Sequence, residues 1–145
     1  MALRVLLLAL LATACTEKSR STDTRSTSLP TAKERVAFFC DYVLCPTRPD
    51  DAAFHLVYRD NSRGLIPGPD DADIHAVLKV PAADIARWSK GCEPAGVEAR
   101  PAWLKEVLKG TGWTPTTAPD TVRCGQQTRV IHVKDGLVIL TDERH

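Results

Sequence analysis

Three histidines are the side chains of this 145-residue chain best suited to holding a metal ion or an anion. Along the chain each alternates with a valine and a cation: His55 with Val57 and Arg59, His75 with Val77 and Lys79, and His132 with Val130 and Lys134. Residues two apart on a strand point to the same face of a sheet. If the three strands pair in a suitable register, the imidazoles gather on one face and can bind a metal or an anion. The alternative is a solvated outer face of the sheet without a ligand, on which the valines are present because they favour β-structure.

Oxygen-bearing side chains flank the segment "NSRGLIPGPDDAD", residues 61–73. They are Asp60, Asn61, Asp70, Asp71 and Asp73. Calcium takes six to eight oxygen ligands, so these side chains indicate a candidate calcium site. Their spacing does not match an EF-hand, and the Gly and Pro residues between them are equally typical of a plain turn.

A positive charge and a short apolar run occupy the N-terminus. Arg4 precedes "VLLLALLA", residues 5–12, which is too short to cross about 30 Å of hydrocarbon at about 1.5 Å per helical residue. The run has the length of a signal-peptide h-region, and two small residues and a cysteine follow it. The stretch "LATAC", residues 11–15, resembles the lipobox of bacterial lipoprotein signal peptides.

That resemblance implies a lipid anchor on Cys15. In such proteins the thiol takes a diacylglyceryl group, the chain is cut before the cysteine, and the new amine takes an acyl chain such as palmitate. Each buried CH₂ contributes about 0.8 kcal/mol, so several chains hold a protein on a bilayer. Thr16 after the cysteine implies the outer membrane, facing the periplasm, where the source has two membranes. An ordinary secretory signal cut after Ala14 is the alternative.

The organisation that follows is a signal peptide at 1–14, a lipidated tether at 15–30 and one globular domain at 31–145. Residues 16–30 contain eight Ser or Thr and a single sizeable apolar residue, Leu29. Such a composition predicts a flexible coil, with an r.m.s. span of roughly 20 Å. The formal charge is only +1 and no basic block occurs, so nucleic acid is not an expected partner.

Four cysteines fall in the predicted domain: Cys40, Cys45, Cys92 and Cys124. An even number in an exported domain predicts two disulfide bonds. Closeness in sequence favours Cys40–Cys45 with Cys92–Cys124, and the pairing of Cys40 with Cys92 and Cys45 with Cys124 stays open. A structural zinc site is the rival use, although the spacing departs from zinc-binding patterns.

Periodicity predicts the elements of an α+β domain. Helices are expected at 31–44, 82–90 and 101–109, and strands at 53–60 and 74–80. The segment "TRVIHVKDGLVILTDE", residues 128–143, reads as a hairpin with an Asp-Gly turn. The expected order is α-β-β-α-α-β-β, an antiparallel sheet of about four strands with helices packed on one face.

No catalytic motif occurs in the chain: there is no G-x-S-x-G, no H-E-x-x-H, no P-loop and no Gly-rich dinucleotide turn. We therefore expect a non-enzymatic envelope lipoprotein without a cofactor, which binds a protein or envelope polymer through the loop at 60–73 or the sheet face. An inhibitor or immunity role fits that class. A structural or assembly factor is the alternative, and a hydrolase using the acidic cluster at 70–73 is the third.

Overall fold

A computed structural model describes residues 20–63 and 65–145, and these ranges form seven strands, two α-helices and two short 3₁₀ turns. The strands are β1 Thr22–Arg25, β2 Asp51–Arg59, β3 Asp71–Lys79, β4 Glu93–Pro94, β5 Asp120–Cys124, β6 Gln127–His132 and β7 Leu137–Arg144. The helices are α1 Ala32–Tyr42 and α2 Leu104–Leu108, and the 3₁₀ turns are Ser26–Ser28 and Ile85–Trp88. The predicted signal peptide and Cys15 lie outside the described residues.

All seven strands join one sheet in the order β1-β2-β3-β7-β6-β5-β4, and every pair is antiparallel. The longest strands, β2, β3 and β7, lie side by side. A connection through residues 80–119 carries β4 and α2 from the centre of the sheet to its far edge. Neither helix in the described ranges has the length and hydropathy needed to cross a bilayer.

The first face of the sheet carries the larger core. Helix α1 begins at a capping box, in which Thr31 and Glu34 satisfy each other's backbone N–H groups. Val36, Phe39 and Val43 follow at helical spacing and pack against alternate residues of β2 and β3 such as Phe54 and Ile74. The 3₁₀ turn at Ile85–Trp88 covers the rest of this face, where Trp88 is fully buried.

The second face is covered by α2 and the loops around it. Val77, Val130, Leu137 and Ile139 alternate with first-face residues on β3, β6 and β7, and they pack against Leu104. Trp103 and Trp113 add half-buried aromatic surface to this second cluster. The sheet therefore lies between helices on both sides.

The predicted architecture of about four strands with helices on one face, in the order α-β-β-α-α-β-β, is wrong. Seven strands dominate, and α1 and α2 pack on opposite faces. The helix predicted at 82–90 is only a four-residue 3₁₀ turn, and that predicted at 101–109 shortens to five residues. In each segment one or two apolar side chains pack into the core, and their spacing resembles that of a helix. Short helical segments depend on such packing, so the spacing alone overestimated the length of the helices.

Strand β1 lies inside the segment predicted to be a flexible tether. Thr22 and Thr24 pair with Tyr58 and Leu56 of β2, and Ser26 just beyond is buried, with its Oγ accepting a hydrogen bond from the Phe54 N–H at 3.0 Å. Polar, threonine-rich composition suggested a coil, yet β-branched threonine suits an edge strand. The ordered domain thus begins well before residue 31.

Both predicted disulfide bonds are present, and the pairing is the one favoured by closeness in sequence. Cys40 bonds to Cys45 at the end of α1, with Cα atoms 5.7 Å apart. Cys92 bonds to Cys124, with Cα atoms 4.6 Å apart, and this bridge ties the start of β4 to the end of β5. The prediction of a disulfide-bonded domain is confirmed.

Asp135 in the β6–β7 turn clamps the loop that covers the second face. Its carboxylate accepts the backbone N–H groups of Thr117 at 3.0 Å and Thr116 at 2.8 Å, and both threonine hydroxyls at 2.8 Å. These bonds, led by the backbone bond from Thr117, hold the pKa of Asp135 well below its usual range. The ionised clamp fixes residues 116–117 against the turn.

Replacing Asp135 by asparagine is expected to lower the free energy of unfolding at neutral pH. Because the folded pKa lies below the unfolded value of about 3.9, the stabilisation by Asp135 is complete above that value and is lost as the pH falls below it. The difference in free energy of unfolding between wild type and Asp135→Asn should therefore be constant above about pH 5 and should shrink as the pH falls below about 4. Urea unfolding at a series of pH values measures this difference. A difference that does not change down to pH 2 would contradict stabilisation by the ionised Asp135 carboxylate.

Candidate metal centre

The antiparallel register brings two of the three histidines together on the second face. His55 of β2 and His75 of β3 are direct cross-strand partners. Asp73 lies two residues before His75 and shares its face, and Glu143 of β7 is the cross-strand partner of Asp73. The centre of the sheet thus places an imidazole beside two carboxylates, on strands held by ladder hydrogen bonds on both sides.

His75 points its Nε2 atom at both carboxylates. Nε2 lies 3.2 Å from Oδ1 of Asp73 and 3.4 Å from Oε1 of Glu143. The three side chains each offer one ligand atom, and these atoms lie within 4.8 Å of one another. One ring nitrogen carries at most one proton, so a neutral His75 can donate through Nε2 to only one of the two carboxylates.

One of these oxygens has no hydrogen-bond donor. Oδ1 of Asp73 is buried, and although His75 Nε2 lies 3.2 Å away, the two atoms form no hydrogen bond. A buried acceptor left without a partner costs about 1–3 kcal/mol. A cation between Asp73 and His75 would satisfy it.

The two separations from His75 Nε2 fit a small metal ion, and the two carboxylate oxygens lie within 4.8 Å of each other. Zinc binds nitrogen and carboxylate oxygen at about 2.0–2.2 Å, which places neighbouring ligands of a tetrahedral ion roughly 3.4 Å apart. The two distances from His75 Nε2 agree with that edge length. A mixed imidazole and carboxylate set favours zinc or another divalent first-row metal over calcium, which prefers oxygen alone.

Trp103 fixes the orientation of the imidazole. Its indole stacks on the His75 ring with centroids 4.6 Å apart and planes only 5° from parallel. Trp103 precedes α2, which packs on β3, so one ring face of His75 is covered while the carboxylates of Asp73 and Glu143 remain about half exposed. The centre is rigid on the imidazole side and open to solvent on the carboxylate side.

His55 forms a separate pair with a residue of the edge strand. Its Nε2 atom lies 2.8 Å from Oδ1 of Asp23 on β1, so it is turned away from the centre formed by His75. The sequence analysis named His75 as a metal candidate but left Asp73 in the loop before a strand expected at 74–80, so this pairing was missed. Asp23 and Glu143 were missed, because β1 was not predicted and the partner of β3 could not be identified from local patterns.

His132 lies away from the other two histidines. Its side chain is 3% exposed, and Nδ1 lies 2.8 Å from the Thr117 carbonyl oxygen. The register sets it two strands and four residues from His75, a separation of roughly 16 Å. The three histidines therefore cannot share one metal ion.

The acidic side chains proposed for calcium have different partners. Asp60 accepts hydrogen bonds from Ser62, and Asp70 accepts them from the Tyr58 hydroxyl and from the Asn61 N–H. The bond to Asp70 raises the pKa of Tyr58. Asp71 faces Arg59 across β2 and β3. Within the described ranges, the one group of three candidate ligands includes Asp73 but none of the other three aspartates.

Two further surfaces are open to solvent. Leu65 and Ile66 project from the β2–β3 loop with relative exposures of 107% and 89%. An open groove of about 730 Å³ runs beside α2. Its lining includes the cations Arg100, Lys105 and Lys109, the apolar residues Leu104, Leu108 and Trp113, and the single carboxylate of Glu106.

No protein-family model, curated protein or solved structure matches this chain.

Proposed function

We propose that the protein is a lipid-anchored, non-enzymatic binding domain of a bacterial cell envelope, and that a divalent metal ion is the ligand its geometry supports best. The anchor is supported by the stretch "LATAC" ending at Cys15. Thr16 after it supports the periplasmic face of the outer membrane in a source with two membranes. The non-enzymatic part rests on the absence of hydrolase and nucleotide-binding motifs from the sequence.

The observation that carries the metal proposal is the position of His75 Nε2 between two carboxylate oxygens, one of them an unpartnered buried acceptor. A protonated imidazole could also lie between two carboxylates, but it would still leave Oδ1 of Asp73 without a hydrogen bond in this geometry. A metal ion satisfies all three ligand atoms at once. The protein supplies three ligands, which leaves a fourth position for water or a partner's side chain.

Titration of the chelator-treated mature protein with zinc tests this proposal. We expect one equivalent to bind, with heat on calorimetry, and binding to weaken at acid pH because protons compete for the imidazole. Copper should quench the fluorescence of Trp103, which stacks on the ligand. The matched control is Trp103→Phe, which should lose the copper-sensitive part of the signal and retain the zinc heat. A folded wild-type protein that gives neither signal contradicts the proposal.

The second candidate ligand is an acidic protein segment or envelope polymer. The groove beside α2 favours it, because three cations and only one carboxylate line the groove together with apolar side chains that include Trp113. Charge complementarity of this kind selects anionic partners. The same titration separates the two candidates: a folded protein that binds no zinc leaves the anionic partner as the proposed ligand.

A further inference from the structure

The most exposed large apolar residues in the described ranges form one short tip, Leu65 and Ile66, on the β2–β3 loop. The base of the loop is closed by hydrogen bonds from Gly68 N to the Asn61 carbonyl at 3.3 Å and from Asn61 Nδ2 to the Pro69 carbonyl at 2.8 Å. The base of the loop is thus closed, and the side chains of Leu65 and Ile66 project beyond it into solvent.

The chain enters the domain at the same end of the sheet. Arg20, the first described residue, donates its N–H to Asp60 at 3.4 Å, and Asp60 donates its own N–H to Ser21 Oγ at 2.9 Å. The Tyr42 hydroxyl bonds to the Arg20 carbonyl at 2.9 Å, and the Arg20 guanidinium bonds to the Asp41 carbonyl at 2.7 Å. Residue 20 is thus tied to the base of the β2–β3 loop.

Covalent geometry limits how far this end can lie from Cys15. Five residue steps separate Cys15 from Arg20, and a fully extended chain spans at most about 18 Å over that length. The tether expected from the sequence, residues 16–30, has three times as many residues. An acyl group on Cys15 would therefore keep the β2–β3 end of the sheet next to the headgroups.

We propose that Leu65 and Ile66 insert into the interface of the bilayer that holds the acyl chains of Cys15, as a second membrane contact that orients the domain. This inference rests on the lipid anchor of the proposed function. The bilayer is the favoured occupant because the short tether keeps this end of the sheet within about 18 Å of an acylated Cys15. The β6–β7 turn lies at the opposite end of the sheet. Leu44, a third exposed residue, comes two positions after Tyr42 and so lies near the same end.

Fluorescent labelling at single introduced cysteines tests the contact in the full acylated protein. With Cys15 acylated and the other four cysteines paired, an introduced thiol is the one available for labelling. Leu65→Cys and Ile66→Cys carry an environment-sensitive dye, with the protein reconstituted in phosphatidylcholine vesicles containing spin-labelled lipids. Val133→Cys is the matched control: it is apolar, 48% exposed, and lies at the opposite end, roughly 26 Å along the strands.

We expect a blue shift and strong quenching at positions 65 and 66, with neither at 133. Equal, unquenched spectra at all three positions in a protein whose mass includes the acyl chains overturn the inference and leave the tip available for a protein partner. A mass without acyl chains instead contradicts the lipid anchor itself. A dye at Ser62→Cys, on the same loop, should be blue-shifted when Leu65 and Ile66 are present. Adding Leu65→Ser and Ile66→Ser should abolish that blue shift while the acyl mass and the fold are retained.

Discussion

Replacing His75 by glutamine is expected to reduce zinc affinity by at least about 100-fold, because loss of a residue that merely supports a metal ligand already costs 10- to 100-fold. Glutamine keeps a polar side chain of similar reach but removes the imidazole donor. The carboxylates of Asp73 and Glu143 then remain as the two oxygen ligands of the group, and two carboxylates alone hold zinc weakly. Calorimetry with zinc at neutral pH measures the change.

The matched control for this variant is His55→Gln. His55 is the cross-strand neighbour of His75 on the same face, but its Nε2 atom pairs with Asp23. Zinc affinity should therefore stay within about threefold of wild type, a change below about 1 kcal/mol. Equal losses in the two variants, with unchanged unfolding midpoints, would show that the metal does not bind where the geometry places it.

Removing the Cys92–Cys124 bridge is expected to cost about 4 kcal/mol of stability, against about 2 kcal/mol for the Cys40–Cys45 bridge. The difference follows from loop length, since the sequence separations are 32 and 5 residues and a longer closed loop restricts the unfolded chain more. Because domains of this size are stable by about 5–15 kcal/mol, the first loss is a large share of the total.

Urea unfolding of two double alanine variants, one for each bridge, measures this difference under the same conditions. The Cys92→Ala, Cys124→Ala variant should also loosen the packing of Trp88, whose carbonyl oxygen lies 3.8 Å from the Cys124 sulfur. A larger loss in the variant lacking the short bridge would contradict the chain-entropy account.

Local patterns in the sequence were sufficient for the elements with strong periodicity. The alternation around His55 and His75 gives β2 and β3, and the Asp135-Gly136 pair gives the β6–β7 hairpin. The helical spacing of apolar residues from Val36 to Val43 gives α1. Each of these signals lies within one element or one turn. They are the cases in which local preference and the final fold agree.

The remaining strands depend on pairing that a local pattern does not contain. Strand β1 is polar and short, and it is ordered because β2 offers an edge for it. Strand β5 carries only one buried apolar side chain, Val122, and becomes a strand by pairing with β6. The error in fold class follows directly, because omitting edge strands and extending short helices turns a seven-stranded sheet into a smaller one.

The candidate site also combines a local signal with contacts that depend on strand pairing. Asp73 and His75 are two residues apart, but their common face follows only once β3 is known to begin at Asp71 and not at the predicted residue 74. Glu143 comes 68 positions after His75 and joins the centre only through the register of β3 with β7. Trp103 reaches His75 from the loop before α2, and no periodic signal connects those two residues.

Attachment to a membrane through Cys15 is the premise for both the envelope role and the membrane contact of Leu65 and Ile66. The intact mass of the mature protein, purified from its native membrane, tests it most directly. We predict a chain that begins at Cys15 and is heavier than residues 15–145 by a diacylglyceryl group and an amide-linked acyl chain. A chain that still begins at Met1, or one that begins at Cys15 without fatty chains, would contradict the lipid anchor.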